Sequence, residues 1–370
     1  RKCLKMEKDF DVIVIGAGII GLSISYELSK KYSVGLIEKN KKYGLETSSR
    51  NSEVIHSGIH YPTGSLKAKL CVDGNQLLYS FLVENNIIHK KTGKLTIATE
   101  ENEVREIEKL YKQGKENGVP EIEIIEKKEI KKICSEIEGI VALYTPTTGI
   151  LNVHYLMDCL YNKFIENGGI CGFDEKVINI EKKNSLYLIE TEKGKYFSEI
   201  VVNCAGLYAE NISKMLGFNY DVYWAKGDYF TISKKLNIPL LIYPTPMKEG
   251  LGIHLTPRLD GILRAGPDVE YVEKEYPPYP LDNEVAKYKV DERKRESFYK
   301  SVKKYLPKIE IDDFFPESYG IRPKLQKKGD EFKDFIIKEE IPGFINLIGI
   351  DSPGLTCCLS ISKYVKKIVE

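Results

Sequence analysis

Asp11-Val12-Ile13-Val14-Ile15-Gly16-Ala17-Gly18-Ile19-Ile20-Gly21 is an apolar strand that runs into three glycines at the spacing G-x-G-x-x-G and then into a helical pattern. The residue types follow from what such a turn does. Gly16 permits the tight turn, Gly18 lets backbone approach a pyrophosphate, and Gly21 lets the following helix pack closely on the strand. The helix N-terminus then presents unpaired N–H groups and positive partial charge to the anion. Val34-Gly35-Leu36-Ile37 reads as a second strand ending on Glu38, where an acid takes both ribose hydroxyls of a dinucleotide. A carboxylate there repels a 2′-phosphate, which argues against a cofactor carrying one. A strand-turn-helix without ligand explains the glycines alone, but not strand, spacing and terminal acid together. The uncharged stretch between Asp11 and Glu27 is also shorter than the roughly 20 residues a membrane span needs.

At 370 residues the chain has room for about two domains. Its 55 Lys plus Arg balance 54 Asp plus Glu, so no net basic field points to nucleic acid or an anionic membrane. The charge-rich stretch Glu100 to Lys132 reads as a solvated helical face. Eight cysteines are scattered without a C-x-x-C pair, which argues against a metal centre or a disulfide framework and for a reducing compartment. Arg1-Lys2-Cys3-Leu4-Lys5 is too short to classify as a targeting segment. No apolar stretch is long enough to span a bilayer, so any membrane contact is expected to be peripheral.

Beyond the opening unit, small and polar residues run from Tyr43 to Tyr61, followed by an amphipathic helix from about Ser65 to Asn85. Lys94 to Thr99 alternates as a strand does, Glu100 to Asn117 reads as a charged helix stopped by Gly118 and Pro120, and Tyr155 to Asn167 as a helix ending at Gly168-Gly169. Three short strands, Lys176 to Glu181, Leu186 to Thr191 and Tyr196 to Asn203, are separated by Lys183-Asn184 and Lys193-Gly194 and form a β-meander. The third enters the small-residue turn Cys204-Ala205-Gly206-Leu207. A β-rich stretch covers Tyr223 to Pro267, and the Tyr-, Lys- and Pro-rich piece from Tyr271 to Lys304 reads as surface. Strand Phe344 to Ile350, turn Asp351-Ser352-Pro353-Gly354 and a helix from Leu355 to about Val369 repeat the opening pattern. Three strand-to-helix turns at the start, middle and end imply an α/β cofactor domain assembled from separated segments, 8–85, 145–215 and 325–370. Segments 86–144 and 216–324 form the inserted substrate domain.

These motifs carry a resemblance that covers nearly the whole chain. The glycine run, Arg50-Asn51-Ser52-Glu53-Val54-Ile55-His56-Ser57-Gly58-Ile59-His60-Tyr61 with Gly64-Ser65-Leu66-Lys67-Ala68, Ile242-Tyr243-Pro244, Gly252-Ile253-His254-Leu255-Thr256-Pro257, Gly320-Ile321-Arg322-Pro323 and Ser352-Pro353-Gly354-Leu355-Thr356 are similar to the FAD-dependent oxidoreductases of the D-amino-acid-oxidase and glycerol-3-phosphate-dehydrogenase superfamily, and within it to the L-2-hydroxyglutarate dehydrogenases. The resemblance implies a Rossmann-like FAD domain, a parallel sheet plus β-meander, with an inserted α+β domain built on an antiparallel sheet. It further implies FAD held by Gly16, Gly18, Ile20 and Gly21, by Glu38 and Lys39 at the adenosine ribose, and by Thr47, Ser48, Arg50, Asn51 and Ser52. Val177, Ala205 and Gly206 would also lie along the cofactor, with Ser352, Pro353, Gly354, Leu355 and Thr356 at the flavin ring. Two departures stand out: Ser49-Arg50 replaces a Gly-His pair, and Gly266-Pro267-Asp268-Val269-Glu270-Tyr271 replaces a segment containing lysine and arginine.

The implied chemistry is oxidation of a secondary alcohol, which requires a base for the hydroxyl proton, a hydride acceptor, and cations for carboxylates. His56, in a polar loop beside the cofactor turn, is the first candidate base, with a flavin tether and a structural loop histidine as its other readings. His254 is the rival base, and His60 a weaker one. Arg322 suits a substrate carboxylate because a guanidinium offers two parallel donors. Tyr61 and Tyr243 are candidate lining residues, and Lys226 a candidate for a second carboxylate. The expected activity is oxidation of an L-2-hydroxy acid, 2-hydroxyglutarate first, with glycerol 3-phosphate or an amino acid as alternative substrates and a silent flavoprotein as the non-enzymatic alternative. The electron acceptor is left open among oxygen, quinone and an electron-transfer flavoprotein, and the compartment between mitochondrion and cytoplasm.

Overall fold

The computed structural model describes residues 7–246, 252–276 and 290–370. The opening run forms the strand Phe10–Ile15, paired in parallel with Val34–Ile37 on one side and Lys195–Asn203 on the other. Because helices cover one face and other elements the second, the strand is apolar throughout rather than alternating. Val12 and Val14 pack among the helices, whereas Ile13 and Ile15 pack under the meander. The parallel run extends through Ile170–Gly172 at one end and Phe344–Ile348 at the other, and Ile336–Ile341 adds an antiparallel edge. The meander joins through Lys195–Asn203, whose first half pairs with Leu186–Thr191 and whose last residues pair with Phe344–Ile348.

Helices pack over this eight-stranded sheet. Ile19–Ser29 packs between Gly354–Val369 and Val153–Glu166, and Leu66–Glu84 lies against Gly354–Val369. Ser65 and Asn152 cap their helices, accepting from Ala68 N at 3.1 Å and Tyr155 N at 3.0 Å.

A nine-stranded sheet forms the second layer, built from residues 94–145 and 223–324. Its spine is the antiparallel pair Tyr223–Ile232 and Phe314–Lys324. The expected antiparallel order holds except at one joint, where Leu241–Pro244 runs parallel to Lys94–Ala98. The two strands come from segments too far apart for a hairpin, so nothing local imposes the antiparallel sense. Alternation sorts the faces there: Leu95, Ile97, Ile242 and Leu255 join one core cluster with Phe298 and Val302. Lys94 and Thr96 share the other face with Leu241 and Tyr243.

The stretch from Tyr271 to Lys304 departs from its reading as surface. Residues 277–289 lie outside the described residues, but Arg295–Lys303 is a helix whose Phe298 and Val302 are fully buried. Its charged residues masked an apolar spacing of four. Among the described residues no helix is long and apolar enough to cross a membrane, and no group of His, Cys, Asp and Glu is placed to hold a metal.

Candidate functional site

The carboxyl ends of the parallel strands open onto one cavity of about 1720 Å³, which continues between the two sheets. Gly16 ends its strand at a φ of +100°, and a Cβ on it would lie 2.6 Å from Cys204 O. A Cβ on Gly21 would overlap the Gly16 carbonyl, so Gly21 does not line the cavity but sets how closely the helix approaches. Glu38, at the end of its strand, is fixed by Ala17 N at 2.8 Å and Asn40 N at 2.9 Å, and burial raises its pKa. Ser48 Oγ accepts from Ile19 N at 2.9 Å, which pins the loop carrying Thr47 to Ser52 across the helix N-terminus. Lys39 pairs with Glu46 at 2.6 Å and lies over the Tyr208 ring.

Gly16, Gly18, Ile20, Glu38, Val177 and Ala205-Gly206 line one end of the cavity, and Ser352 to Leu355 the middle. A turn closed to any Cβ, an acid held at a strand end, a second small-residue turn and a helix N-terminus thus lie along one continuous space. Its volume exceeds the roughly 300–1,000 Å³ of a drug-sized site. The residues and the size of the space fit an extended dinucleotide such as FAD, the cofactor that the resemblance implies.

The far end of the cavity carries the candidate chemistry. His56 N is held by Thr356 Oγ1 at 2.9 Å, and His56 O accepts from Asn75 Nδ2 at 2.9 Å. Thr356 therefore supports the His56 loop from behind and does not line the cavity. His56 Nε2 lies 3.2 Å from Ser352 Oγ, which in turn is 3.4 Å from Tyr61 OH. Burial, with Lys94 nearby, pushes the His56 pKa down to about 3, so its imidazole is neutral. Tyr243 stacks on His254 with ring centroids 3.5 Å apart and planes 10° from parallel, and the His60 ring lies 6.1 Å away.

Arg322 Nη2 donates to Asp268 O at 2.7 Å and its Nε to Ala225 O at 3.4 Å, with no carboxylate partner among the described residues. Gly227 makes room for it: a Cβ there would lie 3.1 Å from Nη2. Arg50, one of the departures from the family pattern, also lines the cavity, and burial lowers its pKa.

His56, His60, His254, Tyr61, Tyr243 and Arg322 therefore meet in one space. Lys226 does not join them. It is buried with its ammonium 2.8 Å from Asp228 and lines no part of the cavity, because residues i and i+2 of a strand share a face. Sequence reading missed two features. Asp351 is buried between Lys67 at 2.8 Å and Lys324 at 3.2 Å; burial opposes its charge, but the two ammoniums hold its pKa below the usual range. This group anchors the turn before Ser352; Lys67 and Asp351 each stood in a quoted motif, but nothing in the sequence paired them. Lys94 is the second, marked only by a charged residue on an otherwise buried alternating strand.

A family model described as FAD dependent oxidoreductase matches residues 11–368. The mitochondrial L-2-hydroxyglutarate dehydrogenase of Arabidopsis thaliana is 35% identical, covering 96% of this chain and 82% of that protein. A glycerol 3-phosphate dehydrogenase of Caloramator mitchellensis is 36% identical, covering 98% and 74%. Among solved structures, the FAD-bound, dithionite-reduced L-alpha-glycerophosphate oxidase of Mycoplasma pneumoniae superposes with a TM-score of 0.87 at 25% identity, covering 98% of this chain and 95% of that one.

Proposed function

Since this chain belongs to the family of FAD-dependent oxidoreductases, we propose that it oxidises the hydroxyl-bearing carbon of an L-2-hydroxy acid, L-2-hydroxyglutarate first, to the 2-oxo acid. The observation that carries the reading is the meeting of a neutral His56 with an Arg322 whose guanidinium has no carboxylate partner among the described residues, in the cavity that fits FAD.

FAD, when bound, supplies the acceptor for the hydride that leaves the substrate carbon. The chain's residues do the rest. Arg322 uses two of its donors on backbone carbonyls, which fixes the guanidinium and leaves its remaining N–H groups for the substrate carboxylate. His56, held by Thr356 and Asn75, accepts the hydroxyl proton at Nε2, where Ser352 Oγ now lies. Its low pKa in the free cavity suits an acceptor that must arrive empty, and a bound carboxylate raises it by favouring the imidazolium. His254 is the rival acceptor, fixed by its stack on Tyr243. The small-molecule substrate leaves reducing equivalents for oxygen, a quinone or an electron-transfer flavoprotein. A reducing compartment, mitochondrion or cytoplasm, suits seven unpaired cysteines among the described residues.

Glycerol 3-phosphate is the second reading, favoured by the 36% identity to the Caloramator enzyme and the fit to the glycerophosphate oxidase. Anaerobic bleaching of the flavin separates the two. L-2-hydroxyglutarate should bleach the FAD-loaded protein while its D enantiomer and sarcosine do not. Bleaching by glycerol 3-phosphate alone moves the assignment to the second reading, and bleaching by an amine alone removes both.

A further inference from the structure

The histidines of the cavity back onto a group that the chemistry above leaves unused. Lys94 is 1% exposed, on the strand face that it shares with Tyr243. Its Nζ lies 3.0 Å from His60 Nε2 and 4.6 Å from the centroid of the Tyr243 ring. The titratable groups around it are His60 and His56 from the loop after Val54–Ile55, Tyr243 from the neighbouring strand, His254 stacked on Tyr243, and the Cys71 thiol from the helix Leu66–Glu84. No carboxylate among the described residues pairs with it.

The other buried lysines of this chain are a control. Lys67 has Asp351 and Lys226 has Asp228, each at 2.8 Å. Lys94 alone of the three is buried against imidazole and phenol. An ammonium so placed is costly without a counter-charge, and burial lowers its pKa to about 7. His60 and Tyr243, the two groups that touch it, both line the cavity. An anion held against that wall would be the missing partner.

We infer that His60 and Lys94 form a proton-accepting carboxylate subsite: a substrate carboxylate sits against His60, and Lys94, one hydrogen bond behind, takes up a proton from solvent as it binds. The inference rests on the proposed function in so far as the substrate carries a carboxylate. It gives the second carboxylate of a dicarboxylate a wall different from that of Arg322, and it replaces Lys226 in that role. His60 and Lys94 are positioning residues, since neither is asked to touch the reacting carbon.

The test uses the FAD-loaded protein and glutarate, a dicarboxylate without a hydroxyl to oxidise. Calorimetry at pH 8 in two buffers of different ionisation enthalpy should show uptake approaching one proton per glutarate bound. The Kd, read from the change in flavin absorbance, should rise about five- to tenfold between pH 7.5 and 8.5. Lys94→Met keeps most of the unbranched apolar stem and removes the charge; it should retain FAD, abolish both the proton uptake and the pH slope, and weaken binding at pH 7 about tenfold or more. His60→Gln should lose the uptake as well. Glutarate binding without proton uptake, uptake that survives in Lys94→Met, or no glutarate binding would each overturn the inference. Coupled uptake in a protein whose flavin 2-hydroxyglutarate does not bleach would leave this subsite standing and remove the oxidation proposed above; bleaching without coupled uptake would do the reverse.

Discussion

Arg322 and His56 divide the work at the residue scale, and their substitutions should separate in kinetics. Arg322→Ala removes a charge-assisted, two-donor contact of about 2–3 kcal/mol. The expected result is a KM for 2-hydroxyglutarate raised about 30- to 150-fold with FAD retained, measured by steady-state kinetics and flavin absorbance. His56→Asn should instead slow flavin reduction about 10²- to 10⁴-fold in stopped-flow traces, with substrate affinity little changed. Equal flavin reduction rates in wild type and variant would pass the role to His254. These residues were legible because each sits inside a short motif whose neighbours announce a turn or a strand end. Lys226 was misread and Lys94 unread for one reason: alternation tells which face a side chain takes but not what waits there. Asp228 waits for Lys226, and imidazoles wait for Lys94.

Among the elements, the glycine turn and the last helix carry separable demands. A Cβ on Gly18 meets only Ser48 Oγ, the end of a side chain that can rotate, at 2.9 Å. Gly18→Ala should therefore fold, yet bind FAD about tenfold or more weakly, because its methyl group occupies the line along which the backbone approaches the pyrophosphate. Gly21→Ala should yield no soluble flavoprotein, since its Cβ collides with the backbone carbonyl of Gly16. The ratio of flavin to protein absorbance and a thermal melt distinguish the two outcomes. In the last helix, Thr356→Val breaks the hydrogen bonds to His56 N and Val54 O. It should slow flavin reduction with little change in KM, and Thr356→Ser should restore it. Strands buried on both faces and the meander turns made most of the first sheet readable from local pattern, whereas its strands Ile170–Gly172 and Ile336–Ile341 went unread. The parallel joint of Leu241–Pro244 with Lys94–Ala98 had no local signal, because no turn connects the partners. The helix Arg295–Lys303 was hidden by lysines and arginines that surround two core residues.

Taken as a whole, the molecule buries several basic groups without a carboxylate partner, and that sets its response to pH. His56 falls to about 3 and His60 well below its ordinary value, both through burial and the nearby Lys94. Between pH 6.5 and about 3 the unfolded chain binds protons that the folded one refuses, so stability falls as pH drops through that window. The slope approaches about 1.4 kcal/mol per pH unit for each such histidine. Denaturant titrations at pH 6.5, 5.5 and 4.5 should show it, and His56→Asn should flatten the curve by one proton. Lys94 works in a higher window: its folded pKa of about 7 lies below the unfolded 10.5, so its cost is complete below pH 7 and vanishes by about 10.5. Lys94→Met should accordingly melt higher than wild type at pH 7 and equal to it near pH 10.5. Two sheets, a meander and a cavity between them were all foreseeable in kind. Which polar groups would be sealed in behind the cavity was not, because sealing depends on packing between segments far apart in sequence.

The cavity described above draws its lining from opposite reaches of the chain: Gly16 to Glu38 from one and Ser352 to Leu355, backed by Thr356, from the other. A ribosome adding about 5–20 residues per second needs roughly 15–65 s to cover the roughly 320 residues between them. For roughly the first half of that interval the phosphate end of the site lacks its partner strand Lys195–Asn203, and Phe344–Ile348, which pairs with that strand, follows only near its close. Loading with flavin thus waits until Ser352 to Thr356 have been made.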